Sequence, residues 1–136
     1  MRVDERRFPR SIGSLEGIFA FIAEFLREQE LDGTSAFELD LIAEELFTNM
    51  VKYGGGGADV SLGLARDGDV VTLVLRDFDG RPYDVTRPSP LPANVPLAER
   101  RAGGMGLHLV QRLADGLDYS HDGRIGTITV RKRLAR

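Results

Sequence analysis

The sequence contains no cysteine, and this absence excludes disulfide bonds, thiolate metal sites and thiol nucleophiles. No apolar run approaches the length needed to cross a membrane, and the charged segment at residues 1–10 lacks the apolar core of a signal peptide. The 18 lysines and arginines nearly balance the 21 aspartates and glutamates, so the net charge of −3 gives no general attraction to nucleic acids or anionic membranes. These absences together predict a cytoplasmic protein.

The composition that remains is that of one globular domain. The chain has 136 residues, of which 42% are hydrophobic, and this suffices for one core but not for two ordinary domains. Five of the six prolines lie between residues 82 and 96 and predict a long surface loop. Four consecutive glycines at 54–57 cannot continue a helix and predict a flexible connector.

Hydrophobic periodicity and turn residues divide the chain into alternating groups of strands and helices. The predicted elements are a strand (2–8), a helix from Ser11 or Ser14 to about 31–33, a helix capped by Thr34 or Ser35 and ended by Gly54, a hairpin (58–66 and 70–77), a helix (105–115) and a closing hairpin (116–122 and 125–134). This order predicts an α+β fold: a two-layer sandwich whose mixed, mostly antiparallel sheet is covered by helices on one face.

The second predicted helix has clear local signals. Glu38 would complete a capping box with Ser35. Its apolar stripe comprises Leu39, Ile42, Ala43, Leu46, Met50 and Tyr53.

A first candidate motif, IAEELFTN (42–49), lies on this helix. Glu45 and Asn49 are four residues apart and therefore share one helix face, at the edge of the apolar stripe. A carboxylate at a cleft rim can act as a general base, an amide oxygen suits Mg²⁺, and Lys52 can reach a phosphate. On its own, the pattern favours an ordinary amphipathic helix.

A second candidate motif, DFDGRPYD (77–84), follows an apolar strand. Asp77 and Asp79 beside Gly80 are common turn formers, and their carboxylates are also suited to bonding the amino group of a heterocycle. Without other signals, the turn is the better interpretation.

A third candidate motif is RAGGMGLHLV (101–110). Gly103, Gly104 and Gly106 allow backbone N–H groups to approach an anion, and a helix beginning near Met105 adds the positive end of its dipole. The spacing matches neither a P-loop nor a dinucleotide-binding fingerprint, so the cluster alone is equally a glycine-rich helix start.

The remaining polar candidates receive structural interpretations. His108 is expected to be a packing or surface residue and His121 to lie at a strand end, with no metal-ligand spacing between them. Arg131, Lys132 and Arg133 are expected on a solvated strand edge.

Taken in order, the three motifs resemble the ATP-binding boxes of the GHKL superfamily, and within it those of the small anti-sigma-factor serine kinases of bacteria. The resemblance covers nearly the whole chain and implies a single histidine-kinase-like ATPase domain over residues 1–136. It implies ATP and Mg²⁺ as cofactors, with Asn49 as the metal ligand and Glu45 as the base toward a serine hydroxyl. Residues 85–102 would form a lid over the phosphates. The residues and the resemblance together predict a nucleotide-binding set of Asn49, Lys52, Asp77, Asp79, Gly80, Arg100, Arg101, Gly103, Gly104, Met105 and Gly106.

One residue departs from the family pattern. The aspartate that bonds the adenine amino group in such proteins stands two residues before the glycine of the middle box, and this position is Phe78 here. A one-residue bulge would bring Asp77 or Asp79 into that place.

The resemblance implies a regulatory serine/threonine kinase that phosphorylates a small anti-anti-sigma protein, holds a sigma factor and allows for a homodimer. Two alternatives stay open. The chain could be a non-catalytic switch module of the same fold, which Phe78 favours, or a detached histidine-kinase catalytic domain.

Overall fold

The computed structural model describes residues 3–31, 36–53, 56–80, 82, 84–86 and 104–134. Its elements are β1 (Val3–Phe8), a short 3₁₀ turn (Ile12–Ser14), α1 (Leu15–Glu28), α2 (Ala36–Tyr53), β2 (Val60–Asp67), β3 (Val70–Asp77), α3 (Gly104–Leu113), β4 (Gly116–His121) and β5 (Gly126–Arg133). This is the predicted order of strands and helices, with the 3₁₀ turn added before α1.

The five strands form one sheet in the order β1-β2-β3-β5-β4. All four pairings are antiparallel, so within the described residues the sheet is purely antiparallel, not mixed as expected. Both predicted hairpins are present, and β5 inserts between β3 and β4. The three helices pack on one face, which confirms the predicted two-layer arrangement.

The core lies between this sheet face and the helices. Because side chains alternate along a strand, one residue in two faces the helices, as with Leu62, Leu73 and Val130. In β3 and β5 burial follows this alternation, whereas β2 is buried on both faces from Val60 to Ala65. The predicted stripe of α2 is buried from Leu39 to Met50, whereas the side chain of Tyr53 lies outside the described set. None of the described helices combines the length and apolarity needed to cross a membrane.

The first helix ends earlier than expected. Its last residue is Glu28, and Glu30 has a positive φ of 54°. The Leu31 N–H donates to Leu26 O and the Glu30 N–H to Arg27 O, which is a Schellman motif with glutamate in the position that usually holds glycine. Gly33 and Ser35 lie outside the described residues, so the expected stop and the capping bond between Ser35 and Glu38 stay predictions.

The start of α1 also differs from the expectation. Ser11 caps the 3₁₀ turn by accepting from the Gly13 N–H, while Ser14 Oγ donates to Pro9 O and makes no cap bond to the helix. The predicted capping side chain therefore serves the turn that precedes the helix.

The expectation of a solvated basic edge at residues 131–133 holds for the exposed side chains of Arg131 and Arg133 and is wrong for Lys132 and for the position of the strand. Strand β5 is an interior strand, and Lys132 points to the helix layer with only 14% of its side chain exposed. Its Nζ donates to Leu113 O (2.8 Å) and pairs with Glu38 Oε2 (2.5 Å). Lys132 thus ties the end of α3 to the beginning of α2.

Candidate nucleotide-binding site

The candidate site lies at one end of the sheet. A single register row crosses all five strands there, through Phe8, Val60, Asp77, Gly126 and His121. We call this row the site end of the sheet. It brings the middle motif, which follows β3, next to the segment after β1 and the turn between β4 and β5.

Helix α2 runs toward the site end. Lys132, at the opposite end of β5, contacts Glu38 in the first turn of α2, whereas Met50 O near the end of α2 accepts from Arg10 beside Asp77. Helix α3 packs against α2 and ends beside Lys132, so its first turn lies away from Lys132, toward the half of α2 that carries the first motif.

Asp77 is buried and engaged in an ion pair. The Arg10 guanidinium donates to both carboxylate oxygens, through Nη2 to Oδ1 and through Nη1 to Oδ2 (3.3 Å), and the two side chains are 6% and 8% exposed. Arg10 also donates from Nε to Ala58 O (3.2 Å) and from Nη1 to Met50 O (3.1 Å). Arg10 therefore joins α2, the segment before β2 and the end of β3.

The turn after Asp77 is held from two sides. The Asp79 N–H donates to Asp77 Oδ1 (3.4 Å), and a Cβ atom added at Gly80 would overlap the Asp77 carboxylate. On the other side, His121 Nδ1 accepts from the Gly123 N–H (3.0 Å), so the ring proton is on Nε2, which donates to Gly80 O (3.3 Å). Asp79 is exposed. Because Arg10 bonds Asp77 and not Asp79, the Asp79 carboxylate stays accessible to a ligand.

Phe78 does not point into this cluster. Side chains alternate across the sheet, so Phe78 lies on the face opposite Asp77, where the Arg7 guanidinium stacks over its ring 4.5 Å from the centroid. The β2–β3 register continues to Asp77 without a bulge. Asp77 thus lies on the helix side of the sheet without the bulge that the sequence suggested. Its carboxylate is, however, engaged in the ion pair with Arg10.

The first motif is on α2, as predicted, and its polar side chains differ in depth. Glu45 is half-buried, Asn49 is 5% exposed and Lys52 is exposed. The sequence placed both residues at the rim of a cleft. The half-buried Glu45 fits this expectation, whereas Asn49 is more deeply buried than a rim residue would be. The seven-residue span from Glu45 to Lys52 keeps all three on one helix face.

The environment of Glu45 suits a proton acceptor. Burial raises the pKa of its carboxyl group above the usual value, the neighbouring Glu44 raises it further, and Lys52 opposes both effects. A carboxylate with a raised pKa binds a proton more strongly, which is the property that a general base near neutral pH requires.

Asn49 has an unsatisfied buried polar atom. Its Nδ2 is buried and has no hydrogen-bond partner among the described residues. Leaving such a group unpaired costs about 1–3 kcal/mol, so its retention favours a ligand at this position. Rotating the amide presents its oxygen instead, a ligand type that Mg²⁺ accepts together with phosphate oxygens and water. The residues present therefore fit a Mg²⁺–nucleotide.

The third motif begins α3. Gly104, Met105 and Gly106 form the first turn of this helix, one residue earlier than predicted, and the backbone N–H groups of a first turn have no partner within their own helix. Gly103, Arg100 and Arg101 lie outside the described residues.

The predicted lid, 85–102, is described only at its beginning. Val85 is buried in the core, and Gln111 Nε2 of α3 donates to Val85 O (2.9 Å). Thr86 is exposed and bonded to Asp84. Val85 is thus a fixed core residue, and residues 87–102 lie outside the described set.

The sequence analysis missed two residues of the site. Arg10 follows a proline in a charged segment, and His121 stands at a strand end, where nothing local distinguishes it. Their partners, Asp77 and Gly80, are 67 and 41 residues away. No local sequence pattern joins residues so far apart, so these contacts are visible only in the tertiary structure.

Known proteins resemble this chain over most of its length. The profile of the histidine kinase-like ATPase domain matches residues 8–132. No curated protein sequence matches. Among solved structures, the RsbU and RsbW domains of Rv1364c from Mycobacterium tuberculosis align with 100% of this chain at 17% identity and a TM-score of 0.71, although the chain spans only 33% of that protein's length.

Two further structures share the fold. SiaB–SiaC from Pseudomonas aeruginosa aligns with 96% of this chain and 88% of the matched chain, at 18% identity and a TM-score of 0.61. The histidine kinase AdeS from Acinetobacter baumannii aligns with 100% and 70%, at 15% identity and a TM-score of 0.51. The fold, the order of the three motifs and the profile match over residues 8–132 agree, and the chain belongs to the histidine kinase-like ATPase domain family.

Proposed function

We propose that this protein is an ATP-dependent serine/threonine kinase that regulates transcription by acting on a small anti-anti-sigma protein and by holding a sigma factor. The observation that carries the proposal is the pairing on one face of α2 of Glu45, whose pKa is raised, with Asn49, whose buried amide is unsatisfied. Phosphoryl transfer needs mainly positioning and charge neutralisation, and this face would supply a base and a metal ligand together.

Each residue of the proposed site has a role that suits its chemistry. When bound, ATP would supply the phosphoryl group and Mg²⁺ would neutralise part of the phosphate charge. Asn49 would hold the metal through its amide oxygen, and the N–H groups of the first turn of α3, at Gly104–Gly106, would bind phosphate oxygens. Glu45 would accept the proton of the attacking hydroxyl. Lys52, which is exposed on the same face, would meet a phosphate, and we extend the same role to Arg100, Arg101 and Gly103 on sequence grounds.

The adenine base would be recognised at the turn after β3. Arg10 occupies both oxygens of Asp77, so we assign the contact with the adenine amino group to the exposed carboxylate of Asp79. Asp77 and Gly80 then shape the turn and do not themselves bind the base.

The proposed partners follow from the sequence resemblance and from a solved complex of a protein with this fold. SiaB was crystallised in complex with a second protein, SiaC, so the fold is compatible with a protein partner. We expect this chain to bind an anti-anti-sigma protein and a sigma factor in the cytoplasm, and to dimerise.

Nucleotide binding tests the first half of the proposal. A fluorescent ATP analogue is titrated with Mg²⁺ and with EDTA into the wild type and the Asn49→Ala variant. We expect Mg²⁺-dependent binding that is lost in Asn49→Ala. A wild type that binds nothing under either condition would overturn the assignment and favour a nucleotide-free switch module.

Transfer tests the second half. Labelled γ-phosphate is followed from ATP to candidate anti-anti-sigma proteins, with Glu45→Gln compared to the matched control Glu44→Gln on the same helix turn. We expect Glu45→Gln to abolish transfer while retaining ATP binding, and Glu44→Gln to retain both. Equal loss of binding and transfer in Glu45→Gln contradicts its role as the base.

The alternative of a non-catalytic switch module is favoured by one observation, the complete engagement of Asp77 by Arg10. It predicts that a partner binds equally well with and without Mg²⁺–ATP. Phosphate that appears on a histidine of the partner and is labile to acid would instead identify a detached histidine-kinase domain.

A further inference from the structure

The turn after β3 is contacted by two segments that have no role in the proposed function, the glycine run after α2 and the turn between β4 and β5. Both contacts fall on the backbone, one at Asp79 and one at Gly80. Asp79 is also the residue whose exposed carboxylate we assign to the base. The two contacts therefore fix the part of the chain from which that carboxylate projects.

Gly56, the third glycine of the run at 54–57, packs directly against Asp79. A Cβ atom added at Gly56 would overlap Asp79 O and would lie 3.1 Å from Asp79 Cβ. A Cβ atom added at the neighbouring Gly57 would have no other atom within 4 Å. The close approach of two backbones thus requires a glycine at Gly56 and not at Gly57, which gives Gly56 a role beyond that of a connector.

His121 reaches the same turn from the other side. His121, Gly126 and Asp77 are neighbours in the register row at the site end of the sheet, on β4, β5 and β3. Because Gly126 has no side chain, the His121 ring has room above β5, and a Cβ atom added at Gly126 would lie 3.4 Å from His121 Cδ2. From this place the ring donates through Nε2 to Gly80 O (3.3 Å).

The turn between β4 and β5 keeps the His121 ring in its donating form. The Gly123 N–H donates to His121 Nδ1 (3.0 Å), so the ring proton is on Nε2, facing Gly80 O. Gly123 has a φ of 97°, which favours glycine. Asp122 Oδ1 accepts from the N–H groups of residues 124 (2.9 Å) and 125 (2.6 Å) and thereby fixes the turn.

We propose that Gly56 and His121 are positioning residues that determine the base selectivity of the nucleotide site. By fixing the backbone on both sides of the turn, they aim the Asp79 carboxylate at the amino group of adenine. Inosine presents a carbonyl oxygen in place of that amino group, and a carboxylate repels it because both groups are hydrogen-bond acceptors. This inference rests on the proposed function, since it takes Asp79 to be the contact with the base.

Competition between ATP and inosine triphosphate measures the selectivity. Each nucleotide displaces the fluorescent ATP analogue, with Mg²⁺, from the wild type and from the variants. We expect the wild type to bind ATP about tenfold or more tightly than inosine triphosphate. Gly56→Ala should reduce this ratio to about threefold or less, mainly by weakening ATP, because the turn is displaced. The matched control Gly57→Ala should keep the wild-type ratio.

Two substitutions of His121 separate its hydrogen bond from its packing. Glutamine keeps an N–H donor for Gly80 O and loses the ring, whereas phenylalanine keeps a ring and loses the donor. We expect His121→Gln to retain most of the selectivity and His121→Phe to lose it. A ring that only packs against the turn would give the opposite order. His121 is half-buried, so we expect both variants to fold, and circular dichroism checks this.

A folded His121→Phe variant with the wild-type ratio of the two affinities would overturn the proposal, and so would a wild type that binds both nucleotides equally. If Gly56→Ala does not fold, the two His121 variants decide. A wild type that binds neither nucleotide overturns the proposed function and the positioning roles with it. A wild type that binds ATP while the variants keep its selectivity overturns the positioning roles alone.

Discussion

Replacing Asp77 by asparagine should destabilise the fold strongly although the change is nearly isosteric. Asparagine keeps the shape of the side chain and removes its charge, which leaves the Arg10 guanidinium without a counter-ion at a position that is 6% exposed. The two carbonyl oxygens that Arg10 also bonds, on Met50 and Ala58, remain and compensate only in part.

The magnitude follows from the burial of the pair. Removing one partner of a buried ion pair typically costs about 3–5 kcal/mol, and the remaining carbonyl bonds place Asp77→Asn near the lower end, at about 3 kcal/mol. Small domains have unfolding free energies of about 5–15 kcal/mol, so this loss is a large fraction of the total. The midpoint of thermal unfolding should fall by roughly 10 °C.

Urea unfolding followed by circular dichroism, without nucleotide, measures this loss. The matched control is Asp118→Asn, the same substitution in an ion pair whose side chains are 46% and 66% exposed, where we expect a change below about 1 kcal/mol. If Asp77→Asn loses no more free energy of unfolding than Asp118→Asn, the buried pair does not organise the site. A double-mutant cycle of Arg10→Met with Asp77→Asn should also give a coupling of about 2 kcal/mol or more.

Three further predictions concern stability and binding. Glu30→Gly should raise the free energy of unfolding by about 1 kcal/mol, because residue 30 has a positive φ that glycine adopts without strain. Glu28→Gly, inside α1, should lower the free energy of unfolding by a similar amount. Equal changes in the free energy of unfolding for the two variants would contradict the Schellman assignment. Burial raises the pKa of the Asp40 carboxyl group in the folded state above its ordinary value of 3.8. The folded state therefore loses stability as the pH rises from the unfolded-state pKa through the folded-state pKa, and Asp40→Asn should stabilise the protein more at pH 7 than at pH 3. A stabilisation measured by urea unfolding that is the same at both pH values would refute this. Gly80→Ala should abolish binding of the fluorescent ATP analogue, because the added methyl group overlaps the Asp77 carboxylate. The control Gly57→Ala, whose added methyl group has no other atom within 4 Å, should bind like the wild type. Normal binding by Gly80→Ala would mean that the turn is not part of the site.

Patterns of short range predicted the elements well. The 3.6-residue spacing of Leu39, Ile42 and Leu46 indicates a helix face, and the structure buries all three. The alternation in β2 and β3 and the turn at Gly68, with φ of 61°, identified the hairpin. These signals are local, because the residues that share a face are at most a few positions apart in the chain.

The end of α1 shows where local reasoning failed. Glycine 33 is the stronger stop signal, but the chain leaves the helix at Glu28, and Arg66 Nη1 from β2 donates to Gln29 O (2.8 Å) at that point. A contact from a distant strand thus supports an end that the propensity of neighbouring residues does not indicate.

The sequence by itself determined the order of helices and strands, the α+β class and the placement of Glu45 and Asn49 on one helix face, because each depends on spacing along a single element. The tertiary structure alone decided that Arg10 engages Asp77 and that Lys132 is an interior residue. These outcomes follow from the insertion of β5 between β3 and β4 and from the return of the segment after β1 to the site end of the sheet. Such pairings join residues far apart in the chain, and their energy depends on burial that exists only after the strands have assembled.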